Sequence, residues 1–88
     1  MSDTFDKLKV QLDLQEWPNV YLFKFIAPNS SEIVAVITAM FDDGADLTYN
    51  KSKTGKYVSI SVKELMIDVD SIIAKYEKVS EIKGVIAL

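Results

Sequence analysis

The residues best placed to do chemistry lie between Tyr49 and Lys63, in the run YNKSKTGKYVSISVK. Lys51, Lys53 and Lys56 crowd a single glycine, Gly55. Basic side chains around a glycine suggest a loop that cradles phosphate. Such a P-loop needs two glycines framing four residues, then Lys and Ser or Thr opening a helix, so that backbone N–H groups wrap the anion. Here there is one glycine, and the residues after it alternate Tyr57, Ser59, Ser61 with Val58, Ile60, Val62. Period-two alternation is the mark of a half-buried strand. The run is therefore read as a β-hairpin whose turn uses Gly55 for a positive φ. Lys51 and Lys53, two apart and expected on one strand face, with Lys56 across the turn, form a candidate anion patch. The competing reading is that they guard an exposed edge strand against aggregation.

The residue types that are missing exclude more than those present suggest. The chain of 88 residues has no cysteine, histidine or arginine; all ten cationic side chains are lysines. Zinc fingers, iron–sulfur clusters and haem sites lose their usual ligands. Cys–His and Ser–His–Asp nucleophilic machinery is excluded as well. Without arginine there is no bidentate fork for carboxylate or phosphate. The acidic group in FDDGAD (Asp42, Asp43, Asp46) lacks the alternating ligand spacing of a calcium loop. No catalytic residue, metal site or cofactor is expected. A net charge of −3 has the wrong sign for a nucleic-acid or anionic-membrane binder. The N-terminus carries no basic-then-apolar leader, and the longest apolar stretch, extending only to IVAVITAMF if Thr38 is allowed, is far short of a membrane span. A cytoplasmic protein is expected.

These side chains must be positioned by few elements. Phe5, Leu8 and Leu12 suit a short amphipathic helix within residues 3 to 14, capped by Ser2 or Asp3. Residues 1 to 17 are read as this helix or arm, and residues 18 to 88 as the body of a single domain. In VYLFKFIA (20–27), Tyr21, Phe23 and Phe25 share one face, and Val20, Leu22, Lys24 and Ile26 the other. Lysine is rarely buried unpaired, so the aromatic face is the core face. Asn29 as N-cap with Glu32 three residues later forms a capping box for a helix with Ile33, Val36, Ile37 and Met40 inward, stopped by Gly44. Asp42 and Asp43 at its C-terminus oppose the helix dipole with no local compensation. Strands ADLTYNKSK and GKYVSISVKEL meet at Thr54–Gly55, a second helix occupies DVDSIIAKYEKV, and IKGVIAL closes the chain as a strand.

The order helix, then βαββαβ, predicts an α+β, ferredoxin-like sandwich: two helices on one face of a four-stranded antiparallel sheet, plus the N-terminal helix. The other sheet face then shows Leu22, Lys24, Ile26, Tyr57, Ser59, Ser61 and Lys63. An exposed apolar strip on a central strand marks a contact surface, unless the N-terminal helix covers it through Phe5, Leu8 and Leu12.

Taken together, WPNVYLFKFIAPN, SKTGKYVSISV and the closing IKGVIAL resemble the YbeD-like family of small bacterial proteins, over roughly residues 16 to 88. The resemblance implies a ferredoxin-like fold similar to the metabolite-sensing ACT domains, and no catalytic residues. Pro28 and Asn29 stand where ACT domains often place a glycine.

The expectation is a non-catalytic regulatory or protein-interaction module, docking a protein partner or homodimerising through Leu22, Lys24, Ile26, Tyr57, Ser59 and Ser61. The alternative is an ACT-like sensor of a small anion or metabolite using Lys24, Lys51, Lys53 and Lys56. RNA binding ranks below both: that module needs two aromatics two apart on its third strand, and here Tyr57 is followed by Ser59.

Overall fold

The computed structural model describes residues 5–42 and 44–88. Their order is α1 (Asp6–Asp13), β1 (Asn19–Pro28), α2 (Ser31–Ala39), β2 (Asp46–Lys51), β3 (Tyr57–Met66), α3 (Val69–Ser80) and β4 (Ile86–Ala87). The strands form one antiparallel sheet in the order β2-β3-β1-β4. Long β1 and β3 are central, paired from Asn19↔Met66 to Pro28↔Tyr57. This is the ferredoxin-like α+β arrangement expected from the element order.

Alternation decides which face is covered. Phe23, Phe25 and Ala27 of β1 and Val58, Ile60, Val62 and Met66 of β3 are buried. They meet Ile37 of α2 and Val69, Ile72, Tyr76 and Val79 of α3. At the centre, the Phe23 ring lies 4.8 Å from Tyr21, 5.2 Å from Phe41 and 5.3 Å from Tyr76 between centroids. Aromatic pairs at such separations add modestly to the area they bury.

Several local expectations are corrected. Ser30, not Asn29, caps α2, its hydroxyl accepting from the Ile33 N–H at 3.5 Å, so no Asn29–Glu32 box forms. Asn29 is drawn to the hairpin instead: its N–H donates to the Lys56 carbonyl and its amide to the Gly55 carbonyl. Helix α2 ends at Ala39, well before Gly44, because Phe41 must leave the helix to enter the core. Val36, expected inward, is exposed. The Met40 carbonyl left at that helix end accepts from the Lys75 ammonium, which also sits 4.9 Å from the centroid of the Phe41 ring. A cation from α3 thus supplies the dipole compensation absent from the local sequence. Glu64, only 9% exposed, accepts from the Asp42 N–H at 2.9 Å and fixes the same corner. Strands β2 and β3 begin later than expected, and β4 is reduced to two residues. The capping roles of Ser2 and Asp3 and the place of Asp43 lie outside the described residues.

Helix α1 belongs to the helix layer. Leu12 is buried in the common core, the Phe5 ring stacks 5.9 Å from Tyr76, and Lys9 pairs with Asp70 at 3.7 Å. The Trp17 indole N–H donates to the Leu12 carbonyl at 2.9 Å and secures the turn into β1. The alternative in which α1 covers the open sheet face is therefore overturned. Its apolar stripe is satisfied by α3, on the opposite side of the sheet.

Candidate interaction face

The uncovered face is built by the odd-numbered positions of β3 and the even-numbered ones of β1 and β2. Its rows follow from the strand register: Val20 beside Leu65; Leu22 beside Lys63 and then Asp46; Lys24 beside Ser61 and Thr48; Ile26 beside Ser59 and Asn50; Pro28 beside Tyr57. On the other flank Ile86 lies beside Ile26, and the Leu88 N–H donates to the Lys24 carbonyl at 2.9 Å. All six residues read from the sequence as an interaction surface thus share one face. Leu22 is 43% exposed, Leu65 66% and Ile86 58%. Leu65, Ile86 and Leu88 were missed, although the alternation of β3 already carried the signal for Leu65. The last two depend on β4 pairing with β1, a long-range contact that no local pattern announces.

The anion patch fares differently. Lys51 ends β2 at the register position opposite Val58, on the helix side of the sheet. Lys53 and Lys56 lie in the turn, and Lys24 stands mid-strand on the open face. Lys51 and Lys53 therefore do not share a strand face, because β2 ends between them. The turn itself is closed by Ser52: its N–H donates to the Tyr57 carbonyl, its carbonyl accepts from the Gly55 N–H, and its hydroxyl accepts from the Tyr57 N–H. Gly55 has φ 75°, the conformation expected of a glycine turn.

The tyrosines divide by environment. Tyr57 is exposed on the open face, whereas the Tyr49 hydroxyl bonds that of Thr38 on α2 at 2.9 Å. Tyr76 is buried, with its hydroxyl 2.8 Å from that of half-buried Tyr21. Burial, followed by the Tyr21 hydrogen bond, pushes the Tyr76 phenol well above its ordinary range. A phenol held neutral in this way serves packing, since a proton donor near neutral pH would need the opposite shift. Among the described residues, no cluster of three or more His, Cys, Asp or Glu is placed to hold a metal ion. Nor, among them, is any helix long and apolar enough to cross a membrane.

Fold and face together define a small ferredoxin-like domain with one sheet surface left open. The chain belongs to the family described as protein of unknown function DUF493, whose model matches residues 13–88. Most of α1 precedes the matched segment. No curated protein and no solved structure matches the chain.

Proposed function

We propose that this protein is a non-catalytic regulatory or protein-interaction module of YbeD-like type, working in the cytoplasm through its open sheet face. The observation that carries this reading is that Val20, Leu22, Leu65 and Ile86 stand exposed on one face of β1, β3 and β4 while every helix described lies on the other side. Several large aliphatic side chains left exposed on one sheet face favour a contact surface. Support for a non-catalytic role comes from composition: no arginine, histidine or cysteine is available to hold or attack a substrate.

The test compares the wild type with a Leu22→Glu/Leu65→Glu variant. Both side chains are exposed, so stability should change by no more than about 0.5 kcal/mol per site. Light scattering and affinity capture from cells, read side by side, should show an association of the wild type that the variant loses. Equal capture by both proteins, with both monomeric, would dismiss the face as a contact surface.

A further inference from the structure

Helix α1 differs from α3 in how it is held. It has eight residues, its N-cap Phe5 makes no side-chain capping bond, and its last turn carries no basic residue and ends on Asp13. Helix α3 has twelve residues, the reciprocal Asp68–Ser71 cap, an acidic first turn and Lys78 in its last. Isolated helices shorter than about 12–15 residues are marginal in water, so α1 stays helical only while it is docked. Of the fourteen buried apolar residues described, one, Leu12, belongs to α1. The other thirteen come from residues 23–79, where the sheet and α2 and α3 already pack on one another. Around Leu12 the docking contacts are Phe5 stacked on Tyr76, half-buried Leu8, the Trp17 indole bond and the Lys9–Asp70 pair. The side chains of that pair are 53% and 86% exposed, so it contributes little. The family match begins at Asp13 and leaves the rest of α1 outside the shared unit.

From this contrast we infer that α1 is a releasable strap. It detaches and unwinds as a unit while the sheet, α2 and α3 stay folded, with Leu14, Gln15 and Glu16 as the hinge. Leu14 is 84% exposed and does not resist the movement. Trp17 lies on the body side of the hinge, its ring 6.3 Å from that of Tyr21. Release therefore breaks the indole bond to the Leu12 carbonyl and leaves the Tyr21 contact in place. What release bares is an apolar seat, the Tyr76 ring that Phe5 covers, with the Tyr21–Tyr76 hydroxyl pair beside it. The strap closes over that seat with side chains three and four residues apart, Phe5, Leu8 and Leu12, which a helix brings to one face. Proteins open in cooperative units whose free energies run from near zero to the global value, and switching elements come from the low end. The seat lies on the helix side of the sheet, so the strap goes beyond the reading of the open face and does not depend on it.

The test is native-state amide exchange of the full, isotope-labelled chain. The last-turn amides of α1, Val10 to Asp13, are expected to be about a hundredfold less protected than those bonded between β1 and β3, yet more protected than in an unfolded peptide. In low urea the sheet amides should exchange faster while those of α1 hardly respond, because opening the strap exposes little surface. Ile60→Val, at a fully buried position of β3, should speed the sheet amides about fivefold and leave those of α1 unchanged. Equal protection of α1 and the sheet overturns the strap, since the two then open only together. It is overturned equally if Ile60→Val speeds α1 as much as the sheet, or if α1 exchanges at the unfolded-peptide rate, since nothing is then docked.

Discussion

At the scale of single residues the molecule separates side chains that hold the core from those that face outward with no structural task. Phe23 is fully buried within the aromatic cluster, so Phe23→Ala should cost about 3–5 kcal/mol in a chemical denaturation series. Tyr76 allows a sharper test, because its phenol is pushed up by burial and by Tyr21. Its folded-state value exceeds the unfolded value of about 10, so the folded chain holds the proton longer. The stability this adds is present below about pH 10 and is lost as pH rises from there toward the folded value. Tyr76→Phe should cost about 1 kcal/mol at neutral pH and should reduce the alkaline fall in stability. An equally steep fall in the variant would show that Tyr76 does not titrate as the burial argument requires.

Elements are fixed by their ends as much as by their apolar faces. Helix α3 begins at a reciprocal cap, with Asp68 accepting from the Ser71 N–H at 2.8 Å, and Asp68→Ala should cost about 1 kcal/mol. Two glycines hold left-handed turns under different constraints. Gly55 has φ 75° and open space where a Cβ would stand, so Gly55→Ala should cost about 1 kcal/mol from backbone strain alone. Gly84 has φ 87° and would bring a Cβ within 3.1 Å of the Pro28 ring, so Gly84→Ala should cost more than Gly55→Ala. The reverse order in thermal unfolding would contradict that packing of the α3–β4 turn on β1. Helix α1 can be followed through Trp17, the one tryptophan of the chain. Leu12→Ala should cost about 3 kcal/mol and shift the indole emission, since the Trp17 N–H bonds the Leu12 carbonyl.

Across the whole molecule, the described helices lie on one side of the sheet and the uncovered strand face forms the other, where Lys24 and Lys63 stand with Asp46. Salt separates association from unfolding: association that engages Lys24 and Lys63 should weaken with ionic strength, whereas unfolding should respond little, since one exposed ion pair, Lys9–Asp70, is the only one among the described residues. The same side-by-side arrangement explains what sequence alone made legible. The aromatic alternation of β1, the period-two pattern of β3 and the 3.6-residue spacing of α3 are local consequences of backbone geometry. They were enough for element order, the ferredoxin-like class, the core face and the sharing of one sheet face by Leu22, Lys24, Ile26, Tyr57, Ser59 and Ser61. The absence of histidine, cysteine and arginine likewise settled which chemistries lack their residues, without reference to any fold.

What the tertiary structure decided depends on pairs far apart in the chain. Asn29 has the composition of a helix cap, yet the neighbouring hairpin takes its amide and leaves the cap to Ser30. The acidic end of α2 had no compensation in its own sequence, and Lys75, 35 positions away, supplies it. The amphipathic stripe of α1 could have packed on either face of the sheet, because periodicity states that a face is apolar and not which surface covers it. Only the stacking of Phe5 on Tyr76 and the burial of Leu12 place α1 with the helices. That placement leaves Leu22, Lys24 and Leu65 uncovered and so makes the open face a site.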